Sequence, residues 1–187
     1  MHPDLLETLR DAQRFGFFGP GSIEDAAAHA AAFVEAIAAV DDGSRIVDLG
    51  SGGGLPGLVV ADARRGDAIV LIDRRQKRTD FLERAVRRLG FEHVDVWCAD
   101  VDVLCDEVGA GRCRPFDVVT ARGFGPPATT LRTALRLLAP SGRVVISEPP
   151  TGDRWSPELL AELGVESERH GPVAVFRRRE PPGGPTD

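Results

Sequence analysis

The sequence predicts an α/β fold, a doubly wound and mostly parallel sheet with helices on both faces. Three observations predict it. Short Val- and Ile-rich runs recur from residue 45 onward, helical segments separate them, and most of the runs are too uniformly apolar to be half-exposed strands. At 187 residues the chain has the length of one domain with a sizeable core. The expected domain covers 1–180, with N-terminal helices over 1–42 and the α/β core over 43–180; the Pro- and Gly-rich residues 181–187 are expected to be a disordered tail.

Each element has its own signal. Residues 3–15 and 23–40 have helical spacing, with Leu5, Leu6 and Leu9 on one face of the first. Ser22 and Asp25 form a capping box that opens the second, and "FGFFGPG" (15–21) breaks the chain between them. Strands are expected at "RIVDL" (45–49), "AIVLID" (68–73), "VDVWCA" (94–99), "FDVVTA" (116–121) and "RVVISE" (143–148), with helices over 57–65, 75–89, 101–109 and 127–138. Beyond Pro149 and Pro150 the texture changes. "SPELLAEL" (156–163) reads as a short capped helix, and "VESER" and "PVAVFRRR" read as two strands with no helix between them. They predict an antiparallel hairpin at a sheet edge.

Composition excludes several classes. "MHPDLLETLR" has neither the basic nor the apolar region of a secretory signal. The most apolar stretch, residues 26–40, is short and carries His29 and Glu35, so no membrane span is expected and the cytoplasm is the expected location. Cys98, Cys105 and Cys113 form no C-x-x-C pair, which argues against a disulfide framework and a zinc site; they read as ordinary semi-buried thiols. His29, His93 and His170 have no metal-like spacing, so no metal is expected. Net charge is −6, and Lys77 is the single lysine among 23 basic residues. A nucleic-acid-binding domain usually shows a basic excess or a basic face, and the overall excess is absent here.

The densest signal is "VDLGSGGGLPGLVV" (47–60), a glycine loop directly behind a buried strand. In a doubly wound fold, ligands bind beyond the carboxyl ends of strands near the switch point, and this loop lies there. Gly50, Gly52 and Gly54 permit positive φ and close backbone approach. The plain alternative is a flexible turn. Gly52, Gly54 and Gly57 fit G-x-G-x-x-G, and Asp73 follows at the spacing of a ribose-binding acid, a pattern shared with NAD sites. Two features favour S-adenosyl-L-methionine (SAM). Asp48 makes the pattern D-x-G-x-G-x-G, in which an acid near the strand end meets the cationic methionine part. Pro56 removes an amide where a pyrophosphate would want one, and SAM has no phosphate. Asp73 reads as the acceptor of both ribose hydroxyls or as a cap of the next helix. Asp100 and Asp102 follow the third strand, where an acid or an amide meets the adenine amino edge; spacing does not choose between them.

"RIVDLGSGGGLPGLVV", "LIDRRQKRTDFLERAVRRLGFEHVDV" and "FDVVTARGF" resemble the bacterial small-subunit rRNA guanine-N7 methyltransferases, the glucose-inhibited division protein B family, over roughly residues 15 to 148. The resemblance implies a Rossmann-like class I SAM-dependent methyltransferase fold and methyl transfer to N7 of a guanine in small-subunit rRNA or its ribosomal particle. It implies that Gly50 and Leu55 lie against the cofactor, Asp73 takes its ribose, and Val101 with Asp102 contacts the adenine. Arg122 would be the arginine beside the cofactor and the reaction centre. Asp100 stands where the family has an arginine, and Glu148 replaces a lysine-glycine, so these acids are expected to repel a phosphate backbone. Other acceptors, an NAD-dependent oxidoreductase and a non-catalytic SAM-binding protein are the alternatives.

Guanine N7 has a lone pair and no proton to remove, so such an enzyme mainly aligns its reactants. No catalytic triad is expected, and none is visible. Arg122 reads either as a donor to guanine O6 or a phosphate, or as a structural arginine paired with a loop acid. The run Arg74, Arg75, Lys77, Arg78, Arg84, Arg87 and Arg88 reads as an RNA-facing patch or as a solvated helix face.

Overall fold

The alternation of apolar runs and helical segments resolves into seven strands and seven helices in a computed structural model that describes residues 2–152 and 154–179. The chain runs α1 (Leu5–Arg14), α2 (Ile23–Ala36), β1 (Arg45–Leu49), α3 (Gly57–Ala63), β2 (Ala68–Asp73), α4 (Gln76–Arg88), β3 (Val94–Cys98) and α5 (Val101–Gly109). It continues with β4 (Phe116–Ala121), α6 (Pro127–Leu137), β5 (Leu138–Ser147), α7 (Pro157–Glu162), β6 (Val165–His170) and β7 (Val173–Arg178). The expected tail, 181–187, lies outside the described residues.

One sheet holds all seven strands in the order β3-β2-β1-β4-β5-β7-β6. β1 pairs in parallel with β2 and β4, while β7 runs antiparallel to both β5 and β6. This is the expected doubly wound sheet closed by an antiparallel hairpin at its edge. The strand order reverses at β1 and β4, so the crevice of the fold opens at their carboxyl ends.

Successive strand residues feed two cores. Ile46, Ile69 and Leu71 pack with Leu9, Phe33, Leu58 and Phe81 of α1 to α4. Val47, Val70 and Ile72 point the other way, onto Leu104, Leu131 and Leu135 of α5 and α6. Both faces are therefore covered, which is why the runs carry so few polar residues. A leucine buried like Leu58 contributes about 1.5–3 kcal/mol by leaving water.

The element ends differ from expectation by two residues at most, except by four at the end of the second helix and by five at the start of β5, which begins at Leu138. The helix end and the exposure of β3 have local reasons. The second helix stops at Ala36 because its continuation tightens: the amides of Ile37, Ala38 and Val40 each bond three residues back. β3 is an edge strand, so Asp95 and Cys98 are exposed although the run reads as apolar. Cys98 is thus exposed, Cys105 buried and Cys113 half-buried, which corrects the uniform semi-buried reading. Ser22 caps α2 as expected, its Oγ accepting the Asp25 amide at 3.0 Å.

Candidate active site

The glycine loop leaves β1 at Leu49 and returns at α3. Ser51 ties it down twice: its Oγ donates to the Asp48 carbonyl at 2.8 Å, and its amide donates to the Ile72 carbonyl at 3.0 Å. Gly50 and Gly52 turn the chain with φ of +64° and +56°. Side-chain-bearing residues rarely adopt that region. Gly50 is doubly constrained, since a Cβ there would stand 2.9 Å from Cδ2 of Phe124.

A cavity of about 470 Å³ opens beyond the carboxyl ends of β1 to β4, lined by Gly50, Asp73, the arginines 74, 75 and 78, residues 99–102, Gly123 and Phe124. Asp73 is 4% exposed at its floor. Its Oδ2 accepts the Gly52 amide at 3.1 Å and Nη1 of Arg78 at 3.3 Å, while Oδ1 accepts the Arg75 amide at 2.9 Å. The carboxylate thus anchors the loop and caps the start of α4, and it still faces the cavity. Asp100 caps α5, its Oδ1 accepting the Asp102 amide at 3.1 Å. Asp102 reaches Arg136 at 2.9 Å. Val101, buried between them, supplies an apolar wall.

So the structure gathers Gly50, Asp73, Asp100, Val101 and Asp102 in one cavity. Five other expected residues do not line it. Gly52, Gly54 and Leu55 shape the loop beneath. Asp48 is 1% exposed, and its Oδ1 accepts the Thr120 hydroxyl at 2.7 Å across β1 and β4. Its Oδ2 has no hydrogen-bond partner among the described residues. Burial pushes the Asp48 carboxyl up to about 6, with the Thr120 bond opposing the shift. Asp48 therefore supports the loop from below, and the expected direct meeting with a ligand's cationic part is not its geometry.

Arg122 faces elsewhere. It lines a second cavity, about 440 Å³, formed with Gln13, residues 18–23, Asp25, Ala26 and His29 of the N-terminal helices. Nη1 of Arg122 and Nε2 of His29 are both buried there without hydrogen-bond partners among the described residues. Burial lowers the pKa of each, and Arg122 lowers that of His29 further. Gly123, the next residue, lines the first cavity, so the end of β4 divides the two.

Sequence reasoning passed over Phe124, placed Arg78 only in the basic run and read His29 only as a histidine without metal-like spacing. Arg78 carried a usable signal, lying five residues beyond Asp73 on the first turn of α4. His29 carried only its position on an apolar helix. Glu148 is corrected. It is 5% exposed, and its Oε1 accepts Nε1 of Trp155 at 2.8 Å and Nη2 of Arg154 at 3.1 Å. It braces the chain after β5 and presents no free charge to a phosphate backbone. The basic run divides as well: Arg74, Arg75 and Arg78 reach the cavity, whereas Arg87 pairs with Glu83 and Arg88 with Asp11 on the solvated side.

Comparison with known proteins matches the sequence to a family. Curated relatives include "Ribosomal RNA small subunit methyltransferase G" of Ralstonia nicotianae, 35% identical over 142 residues and 69% of this chain. The protein of the same name from Laribacter hongkongensis is 39% identical over 139 residues and 68% of the chain. The chain spans 60% and 64% of the length of these two relatives. Among solved structures, a putative O-methyltransferase from Klebsiella pneumoniae superposes with TM-score 0.68 at 13% identity, covering 95% of this chain and 90% of that one. A SAM-dependent O-methyltransferase from Thermotoga maritima gives TM-score 0.63 at 16% identity, covering 94% and 73%. At such identities these show a shared fold. The model of the GidB family, rRNA small subunit methyltransferase G, matches residues 13–149, from the end of α1 to just past β5, and the chain belongs to that family.

Proposed function

We propose that the chain binds SAM in the first cavity and transfers its methyl group to N7 of a guanine in small-subunit rRNA, presented as the ribosomal particle. The observation that carries this reading is Asp73, a nearly buried carboxylate at the cavity floor with Val101 and Asp102 farther along the same wall. An acid after the second strand suits a ribose diol, and an apolar wall with an acid after the third suits an adenine ring and its amino edge. Gly50 brings bare backbone to the opening. The residues present therefore fit the group.

When bound, SAM supplies an electrophilic sulfonium methyl. The protein's own part is to hold the acceptor in line, because N7 offers a lone pair with no proton to remove. Ideal alignment contributes at most about 7–11 kcal/mol. Arg122 donates to the acceptor from the second cavity. No helix among the described residues is long and apolar enough to cross a membrane, and none of their His, Cys, Asp and Glu clusters suits a metal ion. The proposed place of work is the cytoplasm, with the ribosomal particles. Titration calorimetry with SAM and with NAD tests the cofactor: SAM heat without NAD heat is expected, and the reverse replaces the reading with an oxidoreductase.

A further inference from the structure

We infer that the second cavity, walled by Phe18, Asp25, His29 and Arg122, is the pocket that receives the guanine base and selects it over adenine. The inference rests on the methyltransferase reading above and assigns the acceptor a place.

Two buried nitrogens without partners among the described residues point to a ligand. Leaving a buried polar nitrogen unbonded costs about 1–3 kcal/mol, so two in one cavity are expensive unless something arrives to accept from them. Both nitrogens, Nη1 of Arg122 and Nε2 of His29, are of this kind. Position points to the methyl acceptor. Arg122 and Gly123 are neighbours in the chain and line different cavities, so a ligand in the second approaches one in the first across the end of β4. Phe18 joins them from the other side. Its ring packs on the glycine loop so closely that a Cβ at Gly53 would stand 2.6 Å from it.

Charge points to a neutral heterocycle. Arg122 is cationic and Asp25 anionic, and burial together with Arg122 favours neutral His29. A phosphate would meet the Asp25 carboxylate, which opposes it. Guanine matches the pattern. It offers two lone pairs at O6, for Arg122 and the Nε2–H tautomer of His29, and donors at N1 and N2, for Asp25, and it leaves the single N7 lone pair free for the methyl group. Adenine puts its N6 amino group beside N7, donor against donor. Phe18 supplies a face for stacking. In the reaction the N7 lone pair forms the bond to the methyl carbon, the carbon–sulfur bond breaks with its electron pair passing to sulfur, and no proton leaves.

The test measures SAM binding by calorimetry and methyl transfer to unmodified small-subunit particles for wild type, His29→Phe and Asp25→Ala, with Glu24→Gln as a neighbouring control. SAM affinity should hold in all four. Transfer, as kcat/KM for particles, should fall by about 30-fold or more in His29→Phe and Asp25→Ala, the scale set by a lost hydrogen bond to a charged or buried group. Particles reconstituted with inosine, which lacks the N2 amino group, should be poorer substrates for wild type and no poorer than guanosine particles for Asp25→Ala. Wild-type transfer rates in both variants would overturn the pocket while leaving the proposed reaction standing. Equal losses of SAM affinity and transfer would also overturn it, by showing a general disturbance of α2. A wild type that binds SAM and methylates no guanine would overturn the proposed reaction itself, and the pocket with it.

Discussion

Asp73 and Gly52 hold the site together: the carboxylate at the end of β2 accepts the loop amide at 3.1 Å. The proposed ribose acceptor and the clamp of the glycine loop are thus one side chain. Asp73→Ala should weaken SAM binding by roughly 1.5–3 kcal/mol, the worth of hydrogen bonds to a charged group. Because it also frees the Gly52 and Arg75 amides, it should lower thermal stability while leaving the far-UV circular dichroism of the folded protein unchanged. Calorimetry and a melting curve read the two effects separately. Normal SAM affinity would leave Asp73 with the clamp alone.

Gly52→Val should do more damage than Asp73→Ala. The φ of +56° forces a β-branched residue into the left-handed region, and its Cβ would press to 3.3 Å from Nη1 of Arg78. Arg78 is flexible, so most of the cost is backbone strain, of order 1–3 kcal/mol. Gly52→Ala, which meets the same φ with less crowding, should fall between. A valine variant that melts and binds SAM like wild type would show that the loop tolerates another path.

The strands were legible because nearly every position in them is buried on one face or the other, as Ile46 and Val47 show by feeding opposite cores. The first cavity was legible too. Its lining residues follow strand ends at fixed places, and Asp73, Asp100 and Val101 needed only the right strand boundaries. The division of labour was not. Asp48 and Arg122 carry plain chemical signals, yet which of them faces a cavity depends on how α2 packs against the sheet, a long-range relation with no periodicity. Glu148 misled for the same reason. Its partner Trp155 lies seven residues on, past a turn, and a buried brace and an exposed acid look alike in one dimension.

Asp48 gives a pH dependence. Burial raises its folded carboxyl to about 6 from an ordinary 3.8, so its protonated form is the one that suits the fold. A raised carboxyl contributes stability that is full below the unfolded value and is lost as pH climbs through the folded one, here between about pH 4 and 6. Above that window the ionised group costs about 3 kcal/mol. Asp48→Asn keeps an acceptor for Thr120 and carries no charge. Its melting temperature relative to wild type should therefore rise on going from pH 4.5 to 7.5. An equal offset at both pH values would show that Asp48 titrates as an ordinary acid.

Glu148→Ala should lower stability by about 1–3 kcal/mol, since it takes this carboxylate from both the Arg154 guanidinium and Nε1 of Trp155. The salt dependence of binding to ribosomal particles should stay at its wild-type slope. A shallower or steeper slope would show that Glu148 faces the RNA after all.

Radiolabelled methyl transfer from SAM to small-subunit particles lacking the modification, followed by borohydride–aniline cleavage at N7-methylguanine, tests the central claim most directly. The account predicts label at a guanine N7, and it predicts that Arg122→Ala slows transfer far more than it weakens SAM binding. SAM binding intact with no transfer to the particles, even at low salt where phosphate contacts are strongest, would contradict it.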